Sequence, residues 1–135
     1  MIKTAKSGKE IAVTVVNKAG VLADISKILS EHGINLDAVS GYTLGKEAKI
    51  TFLADDAQRA LDALKKSGYK SIKENEVVVV EIENKPGALK NITEVLTAQG
   101  LDIKQIYGTA CASGCPAKVV ISTSDNNKAL VCFRK

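Results

Sequence analysis

The sequence predicts an α+β fold of two equivalent units, each a four-stranded antiparallel sheet with two helices on one face. Three observations carry this. A block of sequence recurs at an offset of 87 − 20 = 67 residues, each copy opens on a β-branched run, and each run is followed by helical and then alternating apolar periodicity.

Asn17-Lys18-Ala19-Gly20-Val21-Leu22 recurs as Asn84-Lys85-Pro86-Gly87-Ala88-Leu89, and the register holds through Ile25/Ile92, Leu29/Leu96, Gly33/Gly100 and Gly41/Gly108. Upstream stand residues 11–16 and 77–82, rich in Val and Ile and short enough to be buried central strands. After each loop, Leu22, Ile25, Ile28 and Leu29, matched by Leu89, Ile92, Val95 and Leu96, recur at helical spacing. Gly33 or Gly100 then stops the helix.

Residues 34–39 and 48–53 form a hairpin about a turn at 44–47, and the second copy repeats it with 101–107 and 117–122 across a connection two residues longer. A second helix follows in each copy, led by Asp55-Asp56 and by Asp125-Asn126-Asn127, residue types that cap helix starts. The order strand, helix, strand, strand, helix asks for one closing strand to complete a ferredoxin-like split β-α-β sheet. Residues 69–73 offer one after the first copy. Nothing follows the second, but Ile2-Lys3-Thr4-Ala5-Lys6 aligns with 69–73 at the same offset of 67.

Cutting the repeat as edge strand, central strand, helix, hairpin, helix gives units 1–67 and 68–135, with each edge strand expected to fold back as a hairpin on the central strand after it. A sheet covered by helices on one side leaves a second face to be covered, so a homodimer is expected.

In 135 residues, 45% are hydrophobic and 25% charged, a globular balance with room for one ordinary core or two small ones. No stretch approaches the roughly 20 apolar residues of a membrane span, so no membrane is expected, and the chain reads as cytoplasmic. A net charge of +4 with interspersed acids, and aromatics at 4% without Trp, argue against nucleic acid as a partner. The three cysteines read as reduced thiols of an intracellular chain.

The two strand-to-helix loops are the most informative positions. Glycine at a helix start lets a ligand approach N–H groups that lack a helical partner, and such groups bind anions. Pro86 fits the first helical position, whereas Ala19 leaves the first loop less rigid. Asn17 and Asn84 could meet an ammonium or a carboxylate, or simply cap the turn. Cys111 and Cys115, at the second hairpin tip, read as unpaired thiols, with a strained disulfide or a soft metal site as alternatives. His32, the only histidine, reads as a solvated helix-end residue, so no metal or cofactor is expected.

The doubled Asn-Lys-Pro-Gly-Ala-Leu and Asn-Lys-Ala-Gly-Val-Leu loops, with Gly-Ile-Asn-Leu and Gly-Leu-Asp-Ile after the helices, resemble the ACT domain family over nearly the whole chain. The resemblance implies ferredoxin-like units that pair side by side or back to back and hold an amino-acid effector at their interface. It places Asn17, Ala19, Gly20, Val21 and Leu22 on one wall, with Asn84, Pro86, Gly87, Ala88 and Leu89 in the second copy. The opposite wall would come from a neighbouring unit's second strand: Val39, Ser40, Gly41 and Tyr42, or Ile106, Tyr107, Gly108 and Thr109.

No nucleophile with a base, and no convergent carboxylates, suggest an enzyme, so no catalytic residue is assigned. Lys18 and Lys85 are poor substitutes for the bidentate arginine of a small phosphatase of this shape. The remaining readings are a non-enzymatic regulator binding a small amino acid, favoured by the duplicated glycine loops, and a protein-interaction module or regulatory subunit that docks an amino-acid-metabolism enzyme without a small ligand.

Overall fold

A computed structural model describes residues 1–110 and 113–134. Among these are six strands and four helices: β1 (Ile2–Val16), α1 (Val21–Glu31), β2 (Leu36–Leu44), β3 (Glu47–Ala54), α2 (Ala57–Lys66), β4 (Ile72–Ile82), α3 (Ala88–Ala98), β5 (Ile103–Thr109), β6 (Ala117–Thr123) and α4 (Asn126–Phe133). None of these helices is long and apolar enough to cross a membrane. The chain divides into two compact units, Lys9–Asn75 and Met1–Gly8 with Glu76–Lys135.

In the first unit, Lys9–Asn75, the strand order is β2-β3-β1, all antiparallel, with Ile11 opposite Phe52, Val13 opposite Ile50 and Gly41 opposite Ile50. Alternation along the strands turns Ile11, Val13, Ile50 and Phe52 to one face, where they bury Ile25 and Leu29 of α1 and Ala60 and Leu64 of α2. Both helices therefore cover the same face. Helix α1 ends through Gly33, at φ 67°, where the left-handed turn lets the Ile34 N–H return to the Leu29 carbonyl. Asp56 starts α2 by accepting the Arg59 N–H through its carboxylate.

In the second unit the order is β4-β6-β5, again antiparallel, with Val80 opposite Val119 and Ile106 opposite Ile121. Its core gathers Val78, Val80, Ile92, Leu96, Ile121 and Phe133. Asp125 caps α4 by accepting the Lys128 N–H.

The edge strands depart from the expected arrangement. Neither folds back on the strand that follows it: β1 runs unbroken for 15 residues and β4 for 11. Residues 69–73 belong with residues 11–16, since the Thr14 N–H donates to the Ser71 carbonyl at 2.9 Å and Tyr69 and Ile72 pack on the first core. Ile2 and Ala5 pack on the second core, where Glu83 N–H donates to Met1 O and Arg134 Nε to Ala5 O, both at 2.9 Å. The boundary therefore does not fall between residues 67 and 68, and the unit beginning at Lys9 is closed by the strand that follows its own second helix.

The physical reason lies in the connections. Ser7-Gly8 and Glu74-Asn75 take none of the positive-φ conformations a two-residue hairpin needs. Gly8 instead answers a close approach, since a Cβ there would stand 3.0 Å from the Val79 side chain.

Candidate functional site

In the first unit the chain leaves β1 at Val16 and enters α1 at Val21, with Gly20 as N-cap at φ 93°. Nothing would lie within 4 Å of a Cβ on Gly20, so the backbone conformation, rather than crowding, calls for glycine. No side chain caps this helix start. The first N–H groups of a helix have no acceptor within it, so the amides at Val21 and Leu22 face an open approach carrying the positive end of the helix dipole.

That opening is one wall of a cavity of about 420 Å³. Asn17, Gly20, Val21 and Leu22 line it from the loop, and Val39, Gly41 and Tyr42 line it from β2. The pairing of β3 with both β1 and β2 sets the two walls either side of Ala48 and Ile50. Leu22 and Val39 are each 46% exposed and Tyr42 52%, so about half of each side chain remains for something else to cover. The resemblance placed the second wall on a neighbouring unit, whereas here β2 of the same unit lines the cavity with its own loop.

Lys18, weighed in sequence only as a poor phosphate ligand, lines the cavity too, as does Thr43, which sequence did not single out. Ser40, half-buried opposite Thr51, does not line it, and Ala19 lines a different cavity.

The second unit repeats the loop with less freedom. Gly87 is the N-cap of α3 at φ 89°, so the helix starts at Ala88 and Pro86 precedes the cap; it does not occupy the first helical position. The Ala88 N–H already donates to the Lys85 carbonyl at 3.2 Å, and the Met1 Cε lies 3.5 Å from where a Cβ on Gly87 would stand. Lys85 is paired with Glu83 at 2.9 Å, and its hydrogen bond and charge hold the Glu83 carboxyl below the usual range. Leu89 and Ile106 remain exposed, Tyr107 is half-buried opposite Val120, and a Cβ on Gly108 would come 3.0 Å from the Lys118 carbonyl. Asn84 is exposed in the loop and Thr109 ends β5 opposite Lys118.

A larger cavity, about 870 Å³, lies on the other flank of the Gly20 loop, between the end of β1 and residues 67–71. The Tyr69 hydroxyl donates there to the Asp24 carboxylate. Burial, and then Asp24 itself, push the Tyr69 phenol up to about 12. Sequence reading took Tyr69 only as the start of a strand, because its partner lies 45 residues away.

The cysteines correct one expectation. Cys115 is disulfide-bonded rather than an unpaired thiol, Cys132 is a free thiol, and Cys111 lies outside the described residues. His32 stands at the exposed end of α1 with Nδ1 2.8 Å from the Ile28 carbonyl.

Residues 9–66 match the model of the ACT domain family, a span that covers most of the first unit. Among solved structures the chain is similar to protein BT0572 from Bacteroides thetaiotaomicron, with 27% identity, a TM-score of 0.88, and coverage of 96% of this chain and 88% of that one. It is also similar in fold to the regulatory subunit of aspartate kinase from Thermus thermophilus in its ligand-free form, at 19% identity and a TM-score of 0.70, covering 98% and 96% of the two chains. The regulatory subunit of aspartate kinase from Thermus flavus gives a TM-score of 0.64 at 19% identity and the same coverage. No curated protein matches the chain.

Proposed function

We propose that this protein is a non-enzymatic regulator built of two ACT-type units, each a four-stranded ferredoxin-like sheet, and that its first unit binds a small amino acid between the Gly20 loop and β2. The observation that carries the reading is the uncapped start of α1 opening into a cavity whose far wall is Val39, Gly41 and Tyr42. A ligand carboxylate would accept the Val21 and Leu22 N–H groups, and Asn17, which lines the same cavity, would offer its side-chain oxygen to an ammonium. Leu22, Val39 and Tyr42 would hold the apolar part of the ligand.

The match of residues 9–66 to the ACT domain supports the assignment, and the likeness in fold to two regulatory subunits of aspartate kinase fits it. The second unit, with Ala88 N–H engaged and Met1 against Gly87, is the weaker binder. The half-exposed apolar residues around the cavity would be covered by a second copy of the chain, so that ligand at the seam favours one dimer geometry and alters a partner enzyme.

A thermal-shift screen against the twenty amino acids tests the reading, because a ligand that binds only the folded chain raises its melting temperature. At least one amino acid is expected to do so, with the rise lost in Tyr42→Ala. If none raises it, the same exposed residues are better read as a docking surface for a protein that needs no small ligand.

A further inference from the structure

The cavity on the far flank of the Gly20 loop is not used by that reading, and its chemistry is different. Its floor is apolar, from Val15 and Val21, and its rim carries three charged groups: Asp24, Lys18 and Lys70. We infer that it is a second ligand site, confined to the first unit, for a small zwitterion whose ammonium meets Asp24 and whose carboxylate meets Lys18 and Lys70.

The Tyr69 hydroxyl engages one oxygen of Asp24, which fixes the carboxylate and leaves its other oxygen without a hydrogen bond among the described residues. That oxygen is an acceptor waiting for a cation at the cavity wall. The phenol, pushed up to about 12 by burial and then by Asp24, is a hydrogen-bond donor to that carboxylate. Lys18 and Lys70 make no ion pair among the described residues, and each can offer a full charge to an anion. A simple anion would gain from the lysines but be repelled by Asp24, and a simple cation the reverse. A molecule carrying both charges a few bonds apart satisfies all three groups.

The second unit supplies an internal control, since the offset of 67 keeps the two lysines, as Lys85 and Lys3, but replaces the carboxylate and the hydroxyl. Asn91 stands where Asp24 does, Ile2 where Tyr69 does, and Met1 where Gly68 does. Lys85, the counterpart of Lys18, is bound to Glu83 at 2.9 Å, and Met1 reaches Gly87. The carboxylate and the hydroxyl are thus absent from the equivalent place, where Lys3 alone stands as the exposed counterpart of Lys70.

The test is a ¹H–¹⁵N NMR titration of the full chain with an equimolar mixture of the twenty amino acids. The component responsible is then compared with its decarboxylated and deaminated analogues. The inference expects saturable shifts at the amides of Asp24, Gly68, Lys70 and Ser71. Asp24→Asn, at an exposed position whose replacement keeps the fold, and removal of either ligand charge should each weaken binding about tenfold or more, the loss expected for a charge-assisted hydrogen bond. Shifts confined to Leu22, Gly41 and Tyr42 would overturn this second site and leave the proposed function standing. Binding at Asp24 that survives Asp24→Asn with unchanged affinity would also overturn it. Shifts at Asp24, Gly68 and Lys70 without any at Tyr42 would support this site and count against the other.

Discussion

Deleting residues 2–6 while keeping Met1 separates the two possible homes of the amino-terminal strand. In the structure this segment contributes Ala5, 9% exposed, and part of Ile2 to the core of the second unit. It also carries the Arg134 to Ala5 hydrogen bond and positions Met1 to accept the Glu83 N–H. The two hydrogen bonds are worth about 1 kcal/mol each, and the apolar burial about 2 kcal/mol more. A loss of about 4 kcal/mol is a large part of the roughly 3 to 10 kcal/mol that about seventy residues supply, and it raises the opening equilibrium about a thousandfold. Hydrogen–deuterium exchange read by mass spectrometry should show Val78–Glu83 and Ile92–Leu96 exchanging faster by about that factor, while Ile11–Val16 and Ile25–Leu29 change far less. If instead Ile11–Val16 lost protection and Val78–Glu83 kept it, the strand would belong to the unit that follows it in sequence, and the pairing described here would be wrong.

Three further outcomes follow from named contacts. Gly20→Ala forces a Cβ into φ 93° and should cost about 1 to 2 kcal/mol in urea unfolding, together with any ligand-induced rise in melting temperature. Asp125→Ala removes the cap on the Lys128 N–H and should cost about 1 kcal/mol in the same assay, as should Asp56→Ala on α2. Tyr69 keeps its proton in the folded chain up to about 12, while the unfolded chain releases it near the ordinary tyrosine value of 10.0. Stability therefore does not respond to this group below pH 10 and falls as the pH climbs from there toward 12, a slope that melting curves should show in the wild type and lose in Tyr69→Phe.

Much of the fold was legible because its signals are local. The β-branched runs, the helical spacing of Ile25 and Leu29, the stops at Gly33 and Gly100 and the caps at Asp56 and Asp125 each lie within a turn or two of what they organise. The partner of each edge strand was not legible. An offset of 67 is the same wherever a repeating unit is cut, so it cannot say whether residues 69–73 close the unit before them or open the one after. Hydrogen bonding decided it, through Thr14 and Ser71.

The candidate site divides along the same line. The Gly20 loop and the Val39–Tyr42 strand were both recognisable, but that they line one cavity within a single unit depends on β3 standing between β1 and β2. Asp24 and Tyr69 escaped notice because neither forms a motif alone, and only the closing strand brings them together. The spacing of Cys111 and Cys115 left thiols, disulfide and metal all open, and the disulfide at Cys115 could not be chosen from it.

The most direct test of the proposed function is a crystal structure of the protein grown with the amino acid that most raises its melting temperature. The account predicts ligand density between Leu22 and Tyr42, with a carboxylate oxygen within hydrogen-bonding distance of the Val21 or Leu22 amide nitrogen. Density lying away from the Gly20 loop, with those two amides still bare, would contradict it.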